Sequence, residues 1–137
     1  MKFKTYVRNR WLALMSFGLG IFCSALVPAG AVVSPIIGEP VRGKALYQAC
    51  EACHSIDAND IGPRHRGIVG RRAGSISDYA YSDALKKSGI TWDEVSLDHW
   101  LTNPSELVPG TKMYFKLDDA QKRADIIAYL REQKTAK

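Results

Sequence analysis

The sequence predicts an all-α domain of about four short helices joined by long loops. Apolar residues recur at three- and four-residue steps in separate stretches, the helical period, and no stretch reads as a strand. Between positions 53 and 82 the breakers Gly62, Pro63, Gly67, Gly70 and Gly74 leave no room for a regular element. The length of 137 residues allows one domain, which excludes two-domain enzymes. With 46% hydrophobic and 24% charged residues and no solenoid repeat, the chain reads as globular rather than disordered.

The first element is a leader. Lys2, Lys4, Arg8 and Arg10 precede an uncharged, largely apolar run over 11–33, and small residues follow up to Ala29-Gly30-Ala31. A basic head, an apolar stretch and an A-x-A site are the three parts of a secretory signal peptide, so 1–31 is assigned to one, cleaved after Ala31. An uncleaved anchor is the competing reading, because the run approaches the ~20 apolar residues that span a bilayer. Gly18, Gly20, Pro28 and Gly30 weigh against it. Without the leader, 106 residues remain with 15 basic and 14 acidic side chains, a formal +1 in place of the +5 of the whole chain. The basic surplus belongs to export, and no nucleic-acid partner is expected.

A lead-in over 32–42 precedes a domain over 43–137. The first helix is expected over 41–52, where Ala45, Leu46, Ala49 and Cys53 share a face. A second runs over 82–87, closed by Ser88-Gly89, and a third over about 94–102, stopped by Asn103-Pro104. The last is the clearest. Asp118 and Gln121 have capping-box spacing, and Ala120, Ala124, Ile127, Tyr129 and Leu130 give an apolar side up to about Gln133.

Beyond the leader only two cysteines and one methionine remain: Cys50, Cys53 and Met113. Cys50-Glu51-Ala52-Cys53-His54 is a CxxCH element, the signature of c-type haem attachment. Two thiols three residues apart can form thioethers with two vinyl groups on one porphyrin edge, and the adjacent imidazole reaches the iron. His54 is thus the proximal ligand, its other ring nitrogen needing an acceptor. A thioredoxin-like site would need a strand before Cys50, and a zinc site would need two more ligands where His65 and His99 stand isolated. A plain disulfide remains open.

From Gly43 onward the chain resembles the class I c-type cytochromes of the bacterial and mitochondrial cytochrome c type. The likeness rests on Gly43, Tyr47 and the CxxCH element, then Ile61-Gly62-Pro63, Gly70-Arg71-Arg72-Ala73-Gly74 and Tyr81-Ser82-Asp83-Ala84. It continues in Gly89-Ile90-Thr91-Trp92 and Pro109-Gly110-Thr111-Lys112-Met113. The resemblance implies one haem c, covalent through Cys50 and Cys53, inside the cytochrome c fold, with the first and last helices crossing near Gly43. It implies Met113 as second axial ligand beside Thr111, and the Pro63 carbonyl as acceptor for His54. It implies propionate contacts for Arg71, Tyr81 and Trp92. Trp100 stands where the family commonly has an aromatic hydroxyl near the methionine sulfur.

The chain also departs from the pattern. His65 occupies a place that is usually apolar and packed on the haem, and the glycine usual after Met113 is absent from Tyr114-Phe115-Lys116-Leu117. A partly exposed surface role is expected for His65 in preference to iron ligation.

The expected function is periplasmic electron transfer by a single-haem monomer, with no membrane span in the mature form. It would pass electrons between a donor dehydrogenase or cytochrome bc complex and an acceptor oxidase or reductase of a respiratory chain. No recognisable nucleophile motif, carboxylate pair or phosphate loop suggests an enzyme. A fixed subunit of a larger dehydrogenase or oxidase complex is the first alternative. A peroxidase-like or gas-binding protein follows if Met113 is not a ligand.

Overall fold

The computed structural model describes residues 35–134, so the expected cleavage after Ala31 and the last three residues lie outside it. Among the described residues five helices follow one another: α1 (Pro40–Tyr47), α2 (Asp83–Lys87), α3 (Glu94–Thr102), α4 (Pro104–Leu107) and α5 (Ala120–Glu132). Among the described residues the nearest approach to a sheet is one isolated antiparallel bridge, Arg72 with Thr91.

Helix α1 starts at Pro40, whose fixed φ suits a first helical position. Its cap is Glu39, which accepts from the amides of Val41 (3.0 Å) and Arg42 (2.8 Å). The helix ends at Tyr47, five residues before the expected 52. Beyond it the chain tightens into three-residue windings, with Cys50 N donating to Tyr47 O (2.8 Å) and Cys53 N to Cys50 O (3.1 Å). These turns keep Cys50 and Cys53 on adjacent parts of one tight winding.

Helices α2 and α3 match their expected spans to within a residue. Ser82 caps α2 through Leu85 N (3.2 Å), and Gly89, at φ +71°, turns the chain away after it. Asp93 and Ser96 form a reciprocal capping box at the start of α3. The stop at Asn103-Pro104 is brief: Pro104 begins the short α4, an element absent from the sequence reading. A proline that cannot continue one helix is well placed to open the next.

The cap of α5 is Asp119, not Asp118. Asp119 accepts from Lys122 N (3.0 Å), and the expected partner Gln121 instead donates to Ile37 O (2.8 Å) and Asp125 Oδ1 (2.9 Å). Ile126, Ile127, Ala128 and Leu130 carry α5 into the core.

Helices α1 and α5 cross at Gly43, as expected. A Cβ there would lie 1.9 Å from Asp125 O and 2.9 Å from Tyr129 Cβ, so only glycine permits the approach. Arg42 clasps the same turn of α5, Nε to Asp125 Oδ2 and Nη2 to Oδ1, both 2.9 Å. Asp125 also receives Glu39 N (2.8 Å). These bonds, led by the one from Arg42, lower its pKa to about 2. Buried Arg123 joins α5 to α3 through Asp98 (2.7 Å) and closes the carbonyls of Leu117 and Asp118. The helices surround one apolar cluster that includes Tyr47, Ile68, Leu85, Trp92, Leu97, Trp100, Leu101 and Ile127.

Candidate functional site

The site begins where α1 gives way to its tighter windings. Cys50 is half-buried against the apolar cluster, Cys53 is exposed, and both thiols are free. Burial pushes the Cys50 thiol up to about 11, with Glu51 and Cys53 adding to the shift. His54 follows, its amide tied to Cys50 O (2.9 Å).

The His54 ring is oriented as a ligand needs. Nδ1 lies 2.8 Å from the Pro63 carbonyl oxygen. A carbonyl only accepts, so the proton is on Nδ1 and the lone pair on Nε2. Burial lowers the His54 pKa, partly offset by that hydrogen bond, and keeps the ring neutral. Gly62 lies against the same ring: a Cβ there would fall 2.2 Å from His54 Cε1 and 2.6 Å from Nε2. The loop that supplies Gly62 and Pro63 is anchored by Gly62 N to Cys53 O (2.7 Å).

Met113 approaches the cluster from another part of the chain. Val108-Pro109-Gly110-Thr111 is a turn closed by Thr111 N to Val108 O (3.1 Å), with Gly110 at φ +89° after a proline, the pattern of a type II turn. Thr111 is buried, and Met113 is half-buried against the cluster. Trp100, from α3, donates its Nε1–H to Met113 Sδ at 3.1 Å. Indole is a donor only, so it occupies a sulfur lone pair and offers no acceptor in return.

Arg71, Tyr81 and Trp92 come together. Trp92 N donates to Arg71 O (3.0 Å), burial raises the Tyr81 pKa with the Arg71 charge opposing it, and Trp92 packs edge-on against Trp100 at 5.2 Å between centroids. Arg71 donates to the carbonyls of Arg66 (2.9 Å) and Arg64 (2.8 Å). Its pKa is lowered chiefly by burial. Exposed Arg72 stays at the surface.

His65 is partly exposed, as expected from sequence, but it is not an isolated side chain. Its ring is stacked on that of His54, with centroids 4.1 Å apart and planes 22° apart. Its Nδ1 is 2.9 Å from the hydroxyl of Tyr47, a residue 1% exposed at the end of α1. Burial, then His54 and Arg71, push the His65 pKa well below the usual histidine range. The sequence marked Tyr47 and His65 separately, and nothing in it paired them.

The donor set fits haem c. Two cysteines three residues apart carry no disulfide, an imidazole is held with its Nε2 lone pair available, and a thioether is oriented by an indole, with Cys50 and Met113 both packed against the apolar cluster. The glycine that clears the imidazole is part of the same fit.

Comparisons with known proteins agree. Residues 40–134 match the family model described as Cytochrome c. Cytochrome c2 of Rhodomicrobium vannielii is 46% identical over 100 residues, covering 70% of this chain and 80% of that protein. Cytochrome c of Theileria annulata is 47% identical over 100 residues, covering 69% and 86%. The solved structure of cytochrome cH from Methylobacterium extorquens superposes with a TM-score of 0.67 at 46% identity, covering 69% of this chain and 99% of that one. With most of its length matched and its CxxCH pair inside the match, the chain belongs to the cytochrome c family of haem-bearing electron-transport proteins, with haem c attached through Cys50 and Cys53.

Proposed function

We propose that the protein is a periplasmic carrier that moves one electron at a time between redox complexes, with His54 and Met113 as the axial ligands of its haem. When bound, the haem supplies the one-electron ferric/ferrous couple. The chain supplies everything that keeps the change at the iron small. Pro63 O holds the imidazole edge, and Gly62 leaves room for the ring. Trp100 holds the thioether by its sulfur, and the Pro109-Gly110 turn fixes the segment that carries it. A soft, neutral sulfur favours the ferrous state.

The observation that carries this reading is that each of the two ligand atoms is oriented by a second residue, His54 through Pro63 and Met113 through Trp100. With His54 and Met113 both on the iron, no position would stay open for peroxide or a gas, and electron transfer would be the whole activity. The role of Arg71, Tyr81 and Trp92 is to hold and neutralise the haem propionates.

Docking is transient, through a small face. Tyr114 and Ile61 are more than two-thirds exposed, and Phe115 is nearly half so. Two lysines are partly engaged: Lys112 Nζ donates to Ala80 O (3.1 Å), and Lys86 pairs with Asp83 at 3.8 Å. This supports contact led by apolar and aromatic groups.

Two spectroscopic measurements test the reading. The oxidised protein should show the weak near-infrared band of sulfur-to-iron charge transfer, and Met113→Ala should abolish it. The reduced native protein should bind little carbon monoxide. Avid binding would sink the carrier and favour a peroxidase-like or gas-binding protein. Fractionation of the native host should place the protein free in the periplasm; recovery only in a large membrane complex would favour a fixed subunit.

A further inference from the structure

We propose that Tyr47 and His65 form a positioning device for His54: the Tyr47 hydroxyl fixes the His65 ring, and the face of that ring sets the rotation of the His54 imidazole about its bond to iron. The inference rests on His54 being the proximal ligand.

The need for such a device follows from what Pro63 leaves free. One hydrogen bond at Nδ1 fixes one edge of the imidazole but permits it to rock about the Nδ1···O line. A planar neighbour stacked at 4.1 Å and 22° resists that motion, because tilting either ring opens or closes the contact along a whole face. An aliphatic side chain would fill space there without presenting a plane.

His65 is itself held at several points. Its amide donates to Ser55 O (2.9 Å), directly after His54, and its carbonyl accepts from Ile68 N (2.9 Å). Its Nδ1 is paired with Tyr47 Oη (2.9 Å). Tyr47 in turn packs against Tyr129 of α5 at 5.2 Å between centroids, and its ring meets His65 edge-on at 5.7 Å. A continuous run of rings thus joins the α1/α5 crossing to the ligand, Tyr129 to Tyr47 to His65 to His54. Supporting residues that lock a ligand's rotamer are what a precise site requires.

The test is proton NMR of the oxidised holoprotein, in which the hyperfine-shifted haem methyl resonances report the orientation of the axial ligand planes. His65→Leu should change the order or spacing of those resonances and shift the midpoint potential, with haem attachment and the sulfur-to-iron band retained. His65→Phe keeps a ring without the hydrogen bond, and Tyr47→Phe removes only the hydroxyl. Both should move the pattern in the same direction as His65→Leu, but less. The Tyr47→Phe/His65→Leu double variant should match His65→Leu alone. Methyl resonances of His65→Leu superimposable on the parent, or effects of the two substitutions that simply add, would overturn the proposal. If His65→Leu does not fold, Tyr47→Phe decides: an unchanged pattern overturns it. Loss of imidazole ligation in the parent spectrum would instead defeat the underlying assignment of His54, a separate outcome.

Discussion

At the scale of single residues, the sulfur of Met113 is the most exposed to tuning. Trp100 donates to it from 3.1 Å and accepts nothing. A donor on the thioether withdraws electron density that would otherwise favour ferric iron. Trp100→Phe keeps an aromatic ring and removes the donor, so it should lower the midpoint potential while the near-infrared band persists. The ceiling is set by one hydrogen bond, ~1 kcal/mol, or roughly 40 mV for one electron. Redox titration of the two proteins checks it. The family resemblance put Trp100 where an aromatic hydroxyl is common, but did not say where the indole N–H points. For His65 the partial exposure was legible in the sequence but not the partners: only the fold brings Tyr47, 18 positions away, within hydrogen-bond reach.

At the scale of helices, α5 and its crossing with α1 carry two tests. Asp119→Ala should cost about 1 kcal/mol of stability by removing the cap, whereas Asp118→Ala should be near neutral. Denaturant titration separates them, and equal losses would contradict the assignment. The spacing 118/121 and the spacing 119/122 are equally plausible on paper, and Gln121 is drawn off by Ile37 and Asp125. The second test is pH. The Asp125 pKa is depressed, from 3.8 to about 2, chiefly by Arg42. Its stabilising contribution is therefore complete above its ordinary range and is lost as pH falls from about 4 towards 2. Asp125→Asn should be less stable at neutral pH and lose less on acidification over that window. Thermal melts at pH 6 and pH 3 measure the difference. Helices α2 and α3 were legible because their caps and stops are local. The early end of α1 was not, since helical periodicity runs on past Tyr47 while the backbone tightens.

At the scale of the whole molecule, size and charge decide. A domain of about 100 residues with a long loop between α1 and α2 buries a limited core. The Cys50→Ala/Cys53→Ala variant should therefore yield little folded protein, and a cooperative thermal transition in it would contradict that. With 15 basic and 14 acidic groups over residues 32–137, long-range steering is weak. Electron transfer to a partner should slow only mildly as salt shortens the screening length; a steep fall would point to a basic docking face. The sequence by itself determined the family, the covalent attachment of haem and most of the helices, because a CxxCH spacing, a cap or a proline acts through a few adjacent residues. Tertiary structure alone decided which side chains meet: His65 against His54, Trp100 on the Met113 sulfur, Arg42 on Asp125 across 83 positions. Those pairings depend on burial and on the crossing of elements, which no local pattern encodes.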